Sequence, residues 1–280
     1  MLEKERLDIL LYERGFFDTR EKAKRAIMAG IVYSNEERLD KPGVKVPINI
    51  EISIKGKQMP YVSRGGYKLE KALKEFNVSV KDKVMIDIGS STGGFTDCAL
   101  QHGAKYSYAV DVGYNQLAWK LRNDDRVIVM ERTNFRYLTP DDLQCDFPQF
   151  ATIDVSFISL KLILPPLKNL LLPGSDIVAL VKPQFEAGKE MVGKKGIVRD
   201  PKVHVLVVNE IIQFALQEGF DCYNLSYSPI TGGDGNIEFL LHLKWNGNQE
   251  GAFGKNFISL TVEEIVKEAH NQLRKDKRGD

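Results

Sequence analysis

Three charged residues stand at the ends of apolar runs in the second half of the chain. Asp154 follows FATI, Lys182 follows DIVALV and Glu238 precedes FLLHL. Short apolar runs between turn signals predict buried strands. If the first two strands are parallel and the last runs backwards, the three side chains share the sheet edge where open α/β sheets bind ligands. A desolvated lysine beside another cation can lose its proton there and act as a general base.

Histidine is the usual general base, and the chain has four. They are His102, His204, His242 and His270. None stands at the predicted C-terminal end of a parallel strand, so each is interpreted as structural or solvated. Lys182 remains the candidate base, because Pro183 after it favours an extended backbone at the sheet edge.

A glycine-rich segment, DIGSSTGGFTD at 87–97, follows the first strand of the second half and opens a helix. Its glycines let the backbone turn sharply and approach a ligand, which the unpaired helix N–H groups then face. A nicotinamide or flavin site is the alternative, but such a loop prefers G-x-G-x-x-G and this one reads G-S-S-T-G-G. Asp111, which closes the next strand, is placed to bind ribose hydroxyls.

Seven predicted strands alternate with helices from residue 84 onward: VMIDIG, YSYAVDVG, VIVMER, FATIDVSF, DIVALVK, CYNLSYSPI and IEFLLHLKW. This βα alternation predicts a parallel sheet covered by helices on both faces, an α/β fold. The glycines of TGGDGN permit a tight reversal before the last strand, which is therefore expected to be antiparallel. Lys68 lies on a predicted helix, YKLEKAL, that borders the same sheet edge.

The first 60 residues predict a small α+β domain. Leu7, Leu10 and Leu11 form one apolar stripe, and a second helix, capped by Asp18 or Thr19, ends at Gly30. Strands are expected around IVYSN and INIEISI, and the polar stretch 56–66 is the predicted linker.

The large domain then covers 61–245. Residues 246–280 are predicted to form a loop and a helix that packs on this domain through Val262, Ile265, Val266, Ala269 and Leu273.

Composition adds few constraints. With 43% hydrophobic residues, 28% charged residues and a net charge of +1, any nucleic-acid surface must come from local clustering. Cys98, Cys145 and Cys222 match neither a disulfide framework nor a metal site, and are interpreted as buried apolar side chains in a reducing compartment. The charged start MLEKERLD and the interrupted apolar stretch 160–172 predict a soluble, cytoplasmic protein with no membrane partner.

The second helix carries Arg20, Lys22, Lys24 and Arg25 within two turns. From charge alone, a solvated helix surface remains the alternative to an RNA contact. The segment RLDILLYERGFFDTREKAKRAIMAGIVYSN, however, resembles the alpha-L RNA-binding domain of a ribosomal protein, many pseudouridine synthases and tyrosyl-tRNA synthetases. This resemblance implies RNA contact by the four basic residues and by Arg6 and Arg14.

The glycine turn, the Asp111 strand end and the closing hairpin together resemble the seven-stranded Rossmann-like methyltransferase fold, whose cofactor is S-adenosylmethionine. The resemblance implies that Asp111 binds the ribose of the cofactor and that Asn134 lies near the adenine. The residues that it implies around the methionine part are Asp87, Gly89, Ser90, Gly93, Gly94 and Phe95.

The set Lys68, Asp154, Lys182 and Glu238 resembles the lysine-aspartate-lysine-glutamate tetrad of FtsJ-type RNA 2′-O-methyltransferases. In this interpretation Lys182 takes the proton of a ribose 2′-hydroxyl, and Asp154 and Glu238 orient and tune the lysine. Lys68 positions the ribose or stabilises developing negative charge.

Across residues 1–245 the order of these motifs resembles the TlyA family, called haemolysin A in older naming. Members methylate cytidine 2′-hydroxyls of ribosomal RNA, some on both ribosomal subunits and some on the small one. The subunit, the target nucleotide and the oligomeric state stay open. A non-catalytic RNA-binding or assembly factor and a membrane-lytic protein are the alternatives. The intact tetrad argues against the first, and the lack of a membrane span or a strongly amphipathic cationic helix argues against the second.

The segment Phe185–Arg199 is basic and interrupted by glycines, directly after the proposed base. It is hypothesised to be a mobile lid whose cations engage RNA phosphates, with a merely flexible loop as the alternative. The cations are Lys189, Lys194, Lys195 and Arg199.

Overall fold

The structure is a computed structural model that describes residues 3–28, 30–35, 37–55, 59–232, 235–249 and 251–275. Parts of three predicted segments lie outside these ranges: 56–58 of the linker, 233–234 of the glycine reversal and 276–280 at the end of the C-terminal segment. The chain divides into two compact units, 1–60 and 61–280.

The first unit has a small apolar core in which Leu7, Leu11 and Ile27 are fully buried. The Thr19 hydroxyl accepts the Lys22 N–H, so Thr19 rather than Asp18 caps the second helix. Three of the five strands in its described residues were not predicted, because their sequences KER, ER and KVP are short, contain charged residues and show no apolar alternation. The elements are β1 (Lys4–Arg6), α1 (Leu7–Glu13), α2 (Arg20–Met28), β2 (Val32–Ser34), β3 (Glu37–Arg38), β4 (Lys45–Pro47) and β5 (Ser53–Ile54).

The second unit alternates strands and helices, as its apolar runs predicted. Its strands are β6 (Val84–Ile88), β7 (Tyr106–Val110), β8 (Val127–Met130), β9 (Phe150–Ile153), β10 (Ser175–Val181), β11 (Asp221–Tyr227) and β12 (Phe239–Trp245). Its α-helices are α3 (Gly65–Glu75), α4 (Gly94–Gln101), α5 (Trp119–Arg122), α6 (Leu164–Leu167), α7 (Pro183–Glu186), α8 (Pro201–Gln217) and α9 (Val262–Lys275).

These seven strands form one sheet in the order β11-β12-β10-β9-β6-β7-β8. Among these seven strands, β12 runs opposite to the other six, so the predicted Rossmann-like α/β fold with a reversed last strand is confirmed. The sheet is covered on both faces. Ile86 and Ile88 pack toward one apolar cluster with α8 and α9, whereas Met85 packs toward another with α3 and α4.

The C-terminal segment is built into this unit. The five apolar residues of α9 are buried, and the helix contacts α8 and β11. Before the helix, the chain runs beside β11: the Cys222 N–H donates to the Lys255 carbonyl and the Phe257 N–H donates to the Cys222 carbonyl. The segment thereby satisfies backbone groups of the edge strand.

One expectation about the cysteines is wrong. Cys98 and Cys222 are buried, but Cys145 is exposed, in a polar stretch whose backbone is fixed by the Cys145 N–H donating to the Tyr108 hydroxyl. Within the described ranges, no helix has both the length and the apolar character needed to cross a membrane.

Candidate active site

The sheet topology brings the four tetrad residues to one edge. Val181 at the end of β10 is paired with Phe239 at the start of β12, so Lys182 and Glu238, one residue further on, are neighbours. Asp154 follows β9, the other neighbour of β10, and its N–H donates to the Ile88 carbonyl at the end of β6. Lys68 enters the same edge from the first half of α3.

The side chains of the tetrad form a chain of alternating charge. Lys182 Nζ lies 2.5 Å from Asp154 Oδ1, and Lys68 Nζ lies 3.2 Å from Asp154 Oδ2. Lys68 Nζ also lies 2.8 Å from Glu238 Oε2, and Lys182 Nζ donates to Ser156 Oγ at 3.2 Å. Two cations and two carboxylates therefore compensate one another at a buried position.

Lys68 and Asp154 contact each other, and the charge of each shifts the pKa of the other. Burial would lower the pKa of Lys68, but the charges of Asp154 and Glu238 outweigh it and raise that pKa above its ordinary value. Burial would raise the pKa of Asp154, but the charges of Lys68 and Lys182 outweigh it and hold that pKa below the usual range. Lys68 and Asp154 are therefore a fixed cation and a fixed anion.

The tetrad lines a cavity of about 340 Å³. Four of the residues expected to bind the methionine part of a cofactor line it as well: Gly89, Ser90, Gly94 and Phe95. The other lining residues are Ser63, Arg64, Gly65, Ser91, Thr92, Ser156, Ile230, Thr231 and Gly232. The glycine turn and the charged edge therefore share one cavity.

Glycine is required at two positions of the turn. Gly89 has φ +82°, and a Cβ there would lie 2.6 Å from the Asp154 carbonyl oxygen. A Cβ on Gly94 would lie 2.9 Å from the Gly66 nitrogen, where the starts of α3 and α4 meet. The lack of side chains thus brings the turn close to the tetrad strand and to the helix that carries Lys68.

Asp87 lies beneath the turn and does not line the cavity. Its carboxylate is fully buried and accepts hydrogen bonds from the Thr96 N–H, the Thr96 hydroxyl and the Thr152 hydroxyl, at 3.1, 2.7 and 2.8 Å. Burial raises the pKa of Asp87 to about 6, although the hydrogen bonds from these donors act to lower it. Its contacts hold the start of α4 against β6 and β9.

Three further predicted cofactor residues lie outside the cavity lining. Gly93 has φ +95° and faces the side chains of Leu117 and Leu121. The Asp111 carboxylate accepts the N–H groups of Ser91 and Gly113, both at 2.7 Å, and so ties the end of β7 to the glycine turn. Asn134 Oδ1 accepts the Arg136 N–H at 3.2 Å, as the cap of a short 3-10 turn.

In the first unit, two of the predicted RNA-binding residues share a buried carboxylate. Arg6 Nε lies 3.0 Å from Asp8 Oδ1 and Arg20 Nε lies 2.7 Å from Asp8 Oδ2. Burial would raise the pKa of Asp8, but the two guanidinium groups lower it to about 2. Arg14 donates to the carbonyls of Ile48 and Ile50, so it holds the turn before β5.

The basic face of α2 is partly compensated. Lys22 pairs with Asp18 and Lys24 with Glu21, at 2.7 and 2.6 Å. Arg25 is exposed. Exposed pairs of this kind cost little to separate, so a phosphate can compete for both lysines.

The predicted lid is anchored at both ends. The Glu186 carboxylate accepts the Ser159 hydroxyl at 2.5 Å and the Leu160 N–H at 2.8 Å, next to the strand end that carries Asp154. At the far end, the buried Val198 N–H donates to Asn236 Oδ1 at 3.1 Å. Lys189, Lys194, Lys195 and Arg199 are exposed, and within the described ranges none of them makes an ion pair.

Phe157 is a site feature that sequence reasoning missed. It lies three residues after Asp154, has φ +62° and is 91% exposed. Its ring centre is 4.8 Å from that of Phe185, which follows the candidate base. The apolar run that contains Phe157 reads as core, and only its left-handed backbone turns the ring outward.

Residues 61–245 match the family described as FtsJ-like methyltransferase, and residues 5–52 match the S4 domain. The chain is 69% identical over 278 residues to YqxC of Bacillus subtilis, provisionally named an rRNA methyltransferase, with 99% of this chain and 98% of YqxC covered. It is 40% identical over 245 residues to the 16S/23S rRNA (cytidine-2'-O)-methyltransferase TlyA of Mycobacterium tuberculosis, with 87% and 91% covered.

A solved structure from Streptococcus thermophilus, provisionally described as a hemolysin, is similar to the whole chain. It has a TM-score of 0.77 and 53% sequence identity, and the match covers 99% of this chain and 100% of that chain. Both units therefore have counterparts in known proteins.

Proposed function

Because this chain belongs to the FtsJ-like methyltransferase family, we propose that it transfers a methyl group from S-adenosylmethionine to a cytidine 2′-hydroxyl of ribosomal RNA, with Lys182 as general base. One observation carries the proposal: the buried chain Lys182, Asp154, Lys68 and Glu238 lines the same cavity as the glycine turn. The relatives named as rRNA methyltransferases support the choice of substrate.

The cavity fits the proposed cofactor. Its volume of about 340 Å³ is that of a small-molecule site, and Gly89 and Gly94 of the glycine turn form part of its wall. The methionine part would lie against this turn, with Ser90 and Phe95. The Asp111 carboxylate accepts two backbone N–H groups and has capacity left for ribose hydroxyls, and Asn134 would offer its side-chain amide to the adenine.

When bound, S-adenosylmethionine supplies an electrophilic methyl group on its sulfonium sulfur. The chain must then supply a base, because a neutral hydroxyl is a poor nucleophile until its proton leaves. Lys68 contacts two carboxylates, whereas Lys182 contacts one among the described residues. The role of base is therefore assigned to Lys182, whose amine is held in place by Asp154 and Ser156.

The other members of the tetrad position the reacting groups. The raised pKa of Lys68 keeps a positive charge beside the cavity, where it can bind the ribose oxygen as negative charge develops. Asp154 stays ionised and orients both lysines, and Glu238 orients Lys68. The exposed Phe157, which packs against the half-buried Phe185, offers an apolar surface on which the base of the target nucleotide can stack.

RNA would be held by two sets of cations, one in each unit. Residues 5–52 of the first unit match the S4 domain, and the proposed contacts there are Arg6, Arg14, Arg20, Lys22, Lys24 and Arg25. In the second unit, the exposed cations of 185–199 are proposed to bind phosphates beside the cavity. A cytoplasmic location, with the catalytic domain at 61–245 and a packing segment at 246–280, completes the proposal.

The proposal is tested by incubating the purified chain and methyl-labelled cofactor with each ribosomal subunit from cells that lack the modification. Digestion to nucleosides and mass spectrometry should identify 2′-O-methylcytidine. Label in a base rather than in a ribose would contradict the proposed chemistry. Cofactor and RNA binding without any transfer would leave a non-catalytic RNA-binding protein.

A further inference from the structure

The backbone ladder between β9 and β10 stops short of the tetrad. Its last pair joins Ile153 to Ala179, so Lys182 lies three residues beyond this ladder. On the other side, β10 stays paired with β12 as far as Val181, directly before Lys182. The backbone therefore fixes the candidate base against β12, whereas side-chain contacts must fix it against the segment that follows β9.

Glu186 supplies one such contact from the turn that follows Lys182. Its carboxylate accepts the Ser159 hydroxyl at 2.5 Å and the Leu160 N–H at 2.8 Å, and both donors lie on the segment after β9. The Ser159 oxygen accepts the Lys161 N–H at 3.1 Å, so its own hydrogen is available for Glu186. These two contacts, called the Glu186 bridge, join the segment after the candidate base to the segment after β9.

The two bridged segments also carry an aromatic contact. Phe185 stands directly before Glu186, and Phe157 stands two residues before Ser159. The ring centres of the two phenylalanines are 4.8 Å apart, and Lys182 Nζ lies 5.8 Å from the centre of the Phe185 ring. The Glu186 bridge therefore holds in place the ring that lies against the amine of the candidate base.

Glu186 is not among the described residues that line the cavity of the tetrad. Burial raises the pKa of its carboxyl, although the hydrogen bonds from Leu160 and Ser159 act to lower it. Glu186 thus contacts two donors of a neighbouring segment from outside the cavity, and such a contact acts on geometry. An uncharged acceptor of the same shape should be able to replace it.

We propose that Glu186 is a positioning residue for methyl transfer, which holds Lys182 and its turn against the segment of Asp154. This inference rests on the proposed function, because the groups held in place are the candidate base and its aspartate. A general base acts only within hydrogen-bond reach of the proton that it takes. A small displacement of the segment that carries the base therefore lowers the rate.

Kinetics of methyl transfer to the ribosomal subunit that the chain methylates test this role. Glu186→Ala removes both contacts and should lower kcat about tenfold, while the cofactor affinity measured by calorimetry stays the same. Glu186→Gln keeps an acceptor for the Leu160 N–H and a polar partner for the Ser159 hydroxyl. Its kcat should stay within about twofold of the original value, because the geometry is kept and only the charge is lost.

A double-mutant cycle tests the Glu186 bridge through its other end. Ser159→Ala removes one of the two contacts and should lower kcat about threefold. In the Glu186→Ala background the same change should have little further effect, because the partner of the hydroxyl is already absent. Losses that simply multiply would overturn the bridge as the route by which Glu186 acts.

The matched control is Glu210→Ala. Glu210 is also a glutamate that contacts the segment after β9, because its carboxylate lies 3.3 Å from Lys161 Nζ, but both side chains of this pair are exposed. Its removal should leave kcat unchanged. Full activity in Glu186→Ala, or an equal loss in Glu186→Ala and Glu186→Gln, would overturn the positioning role.

Amide exchange separates this inference from the proposed function. Without RNA or cofactor, protection of the Leu160 amide should fall in Glu186→Ala and persist in Glu186→Gln, and unchanged protection in Glu186→Ala would overturn the bridge. If the original chain methylates RNA and Glu186→Ala is equally active, only the positioning role fails. If the original chain methylates no RNA, the proposed function fails, and the role of Glu186 in methyl transfer fails with it.

Discussion

Each unit contains one carboxylate shared by two cations, and the two arrangements differ in burial. In the first unit, Asp8 is fully buried, but the side chains of Arg6 and Arg20 are 41% and 44% exposed. In the second, Lys68 and Lys182 on Asp154 are both 9% exposed. One carboxylate orients two outward-facing cations in the first unit, and one carboxylate orients two enclosed cations in the second.

This difference separates binding from chemistry. Guanidinium groups stay charged at any ordinary pH and bind phosphate in a fixed geometry, so exposed arginines suit an RNA surface. An enclosed lysine can give up its proton when its surroundings favour the neutral amine, and this is the role proposed for Lys182 beside the fixed cation Lys68. We therefore propose that the same local arrangement serves RNA binding in one unit and proton transfer in the other, according to the type and exposure of its cations.

The largest expected effect comes from replacing the enclosed Lys182 by arginine, which is the type of cation found in the exposed pair. Lys182→Arg keeps the charge but removes the ability to lose a proton, and it should lower kcat about 10³-fold, as should Lys182→Ala. Cofactor affinity, measured by calorimetry, should change little. Lys83→Ala is the control, because Lys83 also pairs with an aspartate but lies before β6, at the opposite sheet edge. Substantial activity in Lys182→Arg would remove Lys182 from the role of base.

The next prediction compares the central carboxylates. Asp154→Asn leaves two enclosed cations without their shared partner and should destabilise the second unit by roughly 3 kcal/mol. Asp8→Asn leaves two half-exposed cations that water can solvate, so a smaller loss of about 1 kcal/mol is expected in the first unit. Urea unfolding, followed unit by unit by hydrogen exchange, measures both. Equal losses of stability in the two variants would show that the exposure of the cations does not determine how much stability is lost.

A third prediction uses buried carboxylates with and without cations. The pKa of Asp8 is lowered to about 2, so its contribution to stability is present above the unfolded value of about 4 and is lost as the pH falls through 2. The pKa of Asp87 is raised to about 6, so its contribution is present below about pH 4 and is lost as the pH rises through 6.

Asp87→Asn should therefore flatten the stability of the second unit between pH 4 and pH 7, where the original chain is expected to lose on the order of 2 kcal/mol. Urea midpoints across this range provide the measurement. Asp8→Asn is the control. It should leave the pH dependence of stability between pH 4 and pH 7 unchanged and alter that dependence only below pH 4. A profile that stays equally steep in Asp87→Asn would show that another group titrates there.

The smallest effects are expected from the exposed cations. Replacing Lys189, Lys194, Lys195 and Arg199 by alanine should weaken RNA binding about tenfold and flatten its salt dependence, because up to four phosphate contacts are lost. Replacing Arg20, Lys22, Lys24 and Arg25 should have a smaller effect, since three of them already contact carboxylates. Filter binding at several salt concentrations compares the two sets. Unchanged affinity in the first variant would rule out the loop as an RNA contact.

Much of the large unit was predictable because its signals are local. Seven apolar runs, one glycine turn and one glycine reversal predict the order of the strands along the chain and their directions, and these directions place Asp154, Lys182 and Glu238 at one sheet edge. The strands of the small unit were mostly missed, since they are too short for a periodic pattern. Phe157 was missed as well, because its apolar surroundings conceal a left-handed backbone.

Taken alone, the sequence determined the fold class, the position of the glycine turn and the residue types at the sheet edge, because hydrophobic period and turn chemistry act between near neighbours in the chain. The tertiary structure decided which cation contacts which carboxylate, and how far each of these contacts is buried. The contact between Lys68 and Glu238 joins residues 170 positions apart, and the exposure of a side chain depends on every element packed around it. For the same reason, the placement of Asp87 beneath the turn and the pairing of His204 with His270 became visible only in the folded chain.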